Sequence, residues 1–238
     1  MEVAVLTEII RETEKNWRFV FESPLYDKLD FIPGQLVQIH ANVPGEDLPV
    51  VRNYSVASWP DGTNKFELII TYLTGGKMSE YLFDYIQVGD EILYKGPMGI
   101  FTLPEDLTKR DIIFVSTGSG VSPFRSMINF IYENKVPFKN IKLYFGTRLT
   151  TDILYKEEFE YLQNELENFE YIPVLSREKF TGYKEGHVHE HYLKVVDESS
   201  EKPLIYYCGW NIMIDEGRQE LKKRDFQMMK DIRVEIFG

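Results

Sequence analysis

The chain has 238 residues, 43% hydrophobic and 27% charged, enough apolar material for one large or two ordinary globular domains. Its formal net charge of −11 argues against nucleic acid as a partner, because phosphate backbones call for a basic footprint. One cysteine provides neither an intrachain disulfide nor a multi-cysteine zinc or iron–sulfur site within these residues.

The N-terminal stretch Met1-Glu2-Val3-Ala4 lacks a basic region followed by an apolar core, so no signal peptide is expected. No apolar run approaches the ~20 residues that span a bilayer, and a reducing, cytoplasmic setting is expected. The first hundred or so residues read as strands: 19–21, 36–39, 53–57, 66–72 and 91–94 are short and rich in β-branched or aromatic residues. Pro33-Gly34-Gln35, Pro44-Gly45 and Asp61-Gly62 mark turns between them. Several short strands with such punctuation predict a small antiparallel barrel. After Pro104 the pattern changes. Asp111-Ile112-Ile113-Phe114-Val115-Ser116 reads as a buried parallel strand. Phe124, Met127, Ile128, Ile131 and Tyr132 follow at helical spacing. Strands are expected at 142–145, 171–175, 204–207 and 234–237, with a helix over 153–169 burying Leu154, Phe159, Leu162, Leu166 and Phe169. Alternating strand and helix predicts a doubly wound parallel sheet. The expected organisation is an antiparallel β-barrel over residues 1–105 followed by an α/β domain over 106–238.

The most informative stretch is Arg52-Asn53-Tyr54-Ser55-Val56-Ala57-Ser58. Side chains alternate along a strand, so Arg52 and Tyr54 share a face and can grip two ends of one extended ligand. The stretch resembles the flavin-binding signature R-x-Y-S-x-x-S of the ferredoxin–NADP reductase family. The resemblance continues in order to the C-terminus, and it implies FAD in the barrel and NADPH in the α/β domain, with NADH as the alternative. Gly75-Gly76-Lys77-Met78-Ser79 is similar to the family's turn for the flavin pyrophosphate. Two glycines let the backbone approach a phosphate, and a helix beginning at Ser79 would aim N–H groups at it. Gly96-Pro97-Met98-Gly99 resembles the closing turn of the family's barrel and is read as structural. Thr117-Gly118-Ser119-Gly120-Val121-Ser122-Pro123-Phe124-Arg125-Ser126-Met127 follows a strand and opens a helix, the context a dinucleotide loop requires.

Further resemblances assign the remaining site. A Ser176-Arg177 pair implies a seat for the 2′-phosphate of NADP, since a guanidinium suits phosphate bidentately. Lys179, Tyr183, Lys184 and, as a lesser candidate, Arg148 lie near it. Cys208-Gly209 implies a position facing the nicotinamide and flavin rings, although Trp210-Asn211 departs from the family's usual proline or small residue. Glu235 and Phe237 match a C-terminal glutamate near the reacting atoms and an aromatic that covers the flavin. Here Phe replaces the usual Tyr, and Gly238 follows it. Ser55, Cys208 and Glu235 are thus the implied catalytic residues. The string His187, His189 and His191 would share a face on a strand, but it is read as a solvent-facing cluster at a helix start, with no metal site expected. Lys222-Lys223-Arg224 with Lys230 and Arg233 is read as a solvated face rather than a docking patch.

The resemblance implies a flavoprotein oxidoreductase that passes electrons onward to a ferredoxin or flavodoxin. The alternatives are an NAD(P)H-dependent flavin reductase, the reductase component of an oxygenase, and, in another class, a non-catalytic flavin- or nucleotide-binding regulatory module.

Overall fold

The computed structural model describes residues 1–236. Phe237 and Gly238 therefore lie outside the described residues. Six strands form an antiparallel sheet: β1 (Glu2–Arg11), β2 (Asn16–Glu22), β3 (Leu36–Ala41), β4 (Val50–Ser55), β5 (Lys65–Thr71) and β6 (Glu91–Met98), in the order β4-β3-β6-β1-β2-β5. Helix α1 (Lys77–Asp84) lies between β5 and β6. β4 and β5 are the sheet's two edges, and the chain leaving β4 folds onto β5. The Ala57 N–H donates to the Glu67 carbonyl at 2.8 Å, and the Glu67 N–H donates to Ser58 Oγ at 3.0 Å. These bonds curl the sheet into a barrel with its seam between β4 and β5. Phe19, Phe21, Phe66 and Tyr94 fill it, with Phe66 centred 5.4 Å from Phe21 and 5.2 Å from Tyr94.

The second sheet is parallel throughout. It comprises β7 (Ile112–Thr117), β8 (Ile141–Thr147), β9 (Phe169–Leu175), β10 (Lys184–Glu185), β11 (Leu204–Gly209) and β12 (Ile232–Ile236), in the order β10-β9-β8-β7-β11-β12. Helices α2 (Ser122–Glu133) and α3 (Lys156–Glu165) contribute Phe124, Met127, Phe159 and Leu162 to the core on one face. Helices α4 (His189–Glu198) and α5 (Asn211–Lys222) contribute Tyr192, Val196, Ile214 and Leu221 to the core on the other. Strand order reverses between β7 and β11, so the turn after β7 opens onto the crevice where doubly wound sheets receive ligands. Ile69 of β5 and Phe101, just after β6, pack into the α2–α3 core and join the two halves.

Several elements differ from expectation. β1 was not expected: its pairing with β2 slips between Leu6 and Glu8, and such a bulge breaks the alternation that marks a strand. The helix over 153–169 is shorter. It starts at Lys156, after Tyr155 in the left-handed region (φ 54°), and ends at Glu165, while Phe169 opens β9. Leu154, Leu166 and Phe169 are buried or half-buried from turn and strand, so their spacing imitates a longer helix. α1 begins at Lys77 rather than Ser79; Ser79 Oγ turns back to the carbonyls of Leu73 and Gly76, at 3.1 and 2.9 Å. Gly96-Pro97-Met98 is not a turn but the end of β6, where pairing with β3 slips between Leu36 and Gln38, a bulge that accommodates proline. Among the described residues no helix is long and apolar enough to cross a membrane.

Candidate functional site

One large cavity of about 660 Å³ opens along the barrel seam and extends to the second sheet. Arg52, Asn53, Tyr54 and Ser55 line it from β4, and Ile69, Ile70 and Thr71 from β5. Gly76 to Ser79 line it from the start of α1, and Thr117, Ser119 and Ser122 from the turn after β7. Gly209, Trp210, Asn211, Ile212 and Ile236 complete it from the ends of β11 and β12. All four residues from Arg52 to Ser55 reach the cavity, although Ser55 is buried and Tyr54 packs partly on the barrel core.

The wall from β4 to α1 suits a flavin nucleotide. Arg52 is exposed and its Nη1 bonds only the Val51 carbonyl, at 2.8 Å, which leaves most of its donors open to the cavity. α1 carries no side-chain cap at Gly76, so the N–H groups of its first turn are left as donors for an anion, and Gly76 to Ser79 line the cavity. Gly76 is required there: a Cβ would meet Ser79 Oγ at 2.7 Å and the Leu73 carbonyl at 2.9 Å. Gly75 has φ +78°, and its N–H donates to the Glu80 carboxylate at 2.6 Å. Lys77 lines the wall but its Nζ holds Glu46 at 2.6 Å. The half-buried Tyr54 ring offers an apolar platform, and burial pushes its hydroxyl pKa far up. A phosphate donor set, a ring platform and a cavity of this volume running from β4 to α1 fit FAD. Ser58 is not on this wall; its hydroxyl is used by the Glu67 N–H.

The second wall is built by close backbone packing. Gly118 to Val121 form a single 3₁₀ turn between β7 and α2. Gly120 sits on β11: a Cβ there would lie 2.3 Å from the Cys208 carbonyl oxygen. Gly209 (φ +142°) would strike Thr117 Oγ1 at 2.4 Å, and that hydroxyl accepts the Trp210 N–H at 3.1 Å. Ser119 Oγ accepts from Thr71 Oγ1 of the barrel at 3.1 Å.

Three side chains distant in sequence come together. β12 pairs with β11 so that Glu235 lies opposite Cys208. The Ser55 hydroxyl donates to the Glu235 carboxylate across the two halves of the chain. Burial raises the Glu235 pKa to about 7 from an ordinary 4.5, against the opposing pull of the Ser55 hydrogen bond. Neither Glu235 nor Cys208 is among the residues that line the cavity, against the expectation that Cys208 faces the rings; Cys208 is wholly buried, and burial first, then the Glu235 charge, pushes its thiol pKa well up.

Ser176 and Arg177 lie away from this cavity, exposed at the end of β9. The Ser176 hydroxyl donates to the Thr147 carbonyl at 3.2 Å, and the Arg177 N–H donates to the Arg148 carbonyl at 3.1 Å. Two arginines thus stand side by side at neighbouring strand ends, and neither has a carboxylate within 4 Å among the described residues. Stacked Phe180 and Tyr183 rings, 5.3 Å apart, lie close along the chain.

Other residues behave differently from expectation. His189 is not solvent-facing: it turns inward, with Nδ1 2.9 Å from the Tyr192 hydroxyl, while His191 Nε2 contacts the Glu185 carbonyl at 2.7 Å. In the basic run, Arg224 pairs with Asp197 and Glu220, and Lys223 with Glu220. Trp210 and Ile212 were not singled out as site residues. They reach the cavity because the chain turns out of the sheet at Gly209 into the start of α5.

Fold and cavity together define an oxidoreductase class in which a flavin-holding barrel faces a nicotinamide-nucleotide sheet. Residues 3–103 match the family model described as the oxidoreductase FAD-binding domain, and residues 114–219 the oxidoreductase NAD-binding domain. The chain is 33% identical to ferredoxin–NADP reductase B of Sorangium cellulosum over 79% of its own length and 78% of the relative's. It belongs to the ferredoxin–NADP reductase family. It is also 32% identical to the anthranilate 1,2-dioxygenase electron transfer component of Acinetobacter baylyi, over 79% of this chain but only 53% of that one. The chain thus spans about half the length of that relative. Among solved structures, the cytochrome P450 reductase GcoB of Amycolatopsis superimposes with a TM-score of 0.87 at 26% identity, over 99% of this chain and 69% of that one.

Proposed function

We propose that this chain is an FAD-dependent reductase that draws electrons from NADPH, with NADH as the alternative donor, and passes them to a separate one-electron carrier of the ferredoxin or flavodoxin kind. The observation that carries this reading is the bond from the cavity-lining Ser55 of the barrel to Glu235 of β12, which lies beside Cys208 in the sheet register. Bound FAD supplies the conversion between two-electron and one-electron transfer.

The chain's own residues bind, orient and hold protons. Arg52 and the first-turn N–H groups of α1 take the flavin's phosphates. Tyr54 gives its ring system a flat support. Gly118 to Val121 and the start of α2 receive the diphosphate of the nicotinamide nucleotide, and Arg177 with Arg148 its 2′-phosphate. Ser55 offers its hydroxyl either to Glu235 or to a ring nitrogen. Glu235 carries a proton below about pH 7, so the buried pocket stays uncharged when it is needed as a donor. The wholly buried Cys208 packs behind the nicotinamide position and supports the backbone turn at Gly209 that lines it. A second reading, the reductase component of an oxygenase, is favoured by the relative named as a dioxygenase electron transfer component. It changes the acceptor and leaves the site chemistry the same.

The test is an anaerobic absorbance titration with NADPH, then NADH, on wild type and Arg52→Ala. A flavin spectrum bleached by a nicotinamide, together with weakened flavin retention in the variant, supports the assignment. A protein that binds no added FAD overturns the enzyme reading in favour of a nucleotide-binding module. Full flavin occupancy in Arg52→Ala overturns the assigned flavin wall.

A further inference from the structure

The cavity is shared between two halves of the chain, so the separation of its walls must be set by groups that cross between them. Apolar contacts such as Ile69 and Phe101 against the second core resist separation but specify no direction. Polar crossings do: beside the Ser55–Glu235 and Thr71–Ser119 bonds, the charged one is made by Arg125. Arg125, in the first turn of α2 and three residues beyond the cavity-lining Ser122, is only 5% exposed. Its Nη1 donates to the Ala57 carbonyl at 3.1 Å and to the Glu67 carboxylate at 2.6 Å, both in the barrel half. Its Nε donates to both oxygens of Glu158, at 2.8 and 3.0 Å, on α3 in its own half. The guanidinium carbon lies 4.3 Å from the centre of the Tyr155 ring and 5.3 Å from that of Trp59. The partners are themselves held: Arg18 holds Glu67 at 3.0 Å, and Asn129 donates to Glu158 at 2.6 Å.

Ala57 lies two residues beyond Ser55, and Glu67 lies on the strand that lines the seam two residues further along, at Ile69. A rigid, permanently charged fork therefore connects the end of the flavin stretch to the helix that carries the nucleotide turn. A buried ion pair is a poor way to gain stability, since apolar side chains of similar volume serve as well or better. What the fork adds is a fixed direction and distance.

We propose that Arg125 is a positioning residue for electron transfer: with Glu67 and the Ala57 carbonyl it fixes the separation between the Ser55 end of the flavin wall and the Gly118–Val121 turn. This rests on the reductase reading above. Glu158 holds the same guanidinium from within one half and does not span the cavity.

The test compares Glu67→Gln and Arg125→Lys, which weaken the crossing bonds, with Glu158→Gln, which weakens the internal one. Protein with its flavin oxidised, carrying spin labels at Lys65→Cys and Glu133→Cys, both at exposed positions, reports the inter-half distance by pulsed electron resonance. Anaerobic stopped-flow at saturating NADPH reports the limiting reduction rate per bound flavin. A displacement on the order of 1 Å costs about 100-fold in rate. Glu67→Gln and Arg125→Lys are expected to broaden the distance distribution and to lower the limiting rate by about 10- to 100-fold, with NADPH affinity changed less than about 3-fold. Glu158→Gln should leave the distances unchanged and cost less than about 3-fold. Unchanged distances in Glu67→Gln and Arg125→Lys overturn the proposal. So does a fall in flavin content or Tm while the rate per bound flavin holds, because the network would then serve stability only. Wild-type flavin that no nicotinamide bleaches overturns the reductase reading, and this inference with it; the other two results leave that reading standing.

Discussion

Glu235→Gln is the most direct test of the electrostatics at the meeting point. Burial raises the Glu235 pKa in the folded protein to about 7, from an ordinary 4.5. The unfolded chain therefore releases this proton about 2.5 pH units earlier than the folded one, and each unit is worth about 1.4 kcal/mol. The sign follows from the direction of the shift. The group's contribution is fully present below pH ~4.5 and is lost as pH rises through ~7, because the folded state must then ionise a desolvated carboxyl. Between pH 5 and pH 8 the loss amounts to about 2.5 kcal/mol. The assay is urea unfolding of flavin-free wild type and Glu235→Gln across that range. Glutamine keeps the shape and can still accept the Ser55 hydrogen bond but does not titrate, so all other carboxylates cancel in the difference. Wild type should lose about 2.5 kcal/mol relative to the variant between pH 5 and 8. Parallel stability profiles would refute the claim that the half-buried Glu235 is desolvated enough to stay neutral in the folded protein.

Arg177→Ala should weaken NADPH by about 1.5–3 kcal/mol through loss of a charged contact and leave NADH nearly unchanged; equal losses, measured by titration of both nucleotides, would remove the case for the 2′-phosphate seat. Cys208 is wholly buried with its thiol pKa pushed up, so native protein at pH 8 should resist a thiol-reactive disulfide reagent that labels it fully in urea. Gly120→Ala should lower stability by about 1–3 kcal/mol or more, because its new methyl must displace the β11 backbone 2.3 Å away. Chemical denaturation would show it, and an unchanged midpoint would mean that the turn does not pack on β11 as described.

Much of the fold was legible because its signals are local. The change from short β-branched runs to alternating strand and helix at Pro104 follows directly from periodicity, and the glycine turn after β7 stands in its proper strand-to-helix context. That Arg52, Tyr54 and Ser55, together with Gly76, line one cavity could be anticipated in part because contiguous residues on one strand or one turn share their neighbours. Local signals failed where two periodicities coincide. Leu166 and Phe169 continue a helical spacing although the helix has ended, and the bulge between Leu6 and Glu8 hides a ten-residue strand. The histidine string could not be sorted by spacing, because Tyr192, which draws His189 inward, acts through packing on β11 and not through the string itself.

The sequence by itself determined which residues can bind phosphate, support a ring or hold a proton, since those are properties of side-chain chemistry and short-range geometry. Only the tertiary structure decided which of them act together. Ser55 and Glu235 are 180 residues apart and meet because β12 pairs with β11 in one register while the barrel seam faces that strand end. Arg125 is an ordinary helix residue until Ala57 and Glu67 close on it from the other half. The raised pKa of Glu235 has the same origin, because desolvation depends on what surrounds a group, and no single segment of this chain surrounds its own carboxylate.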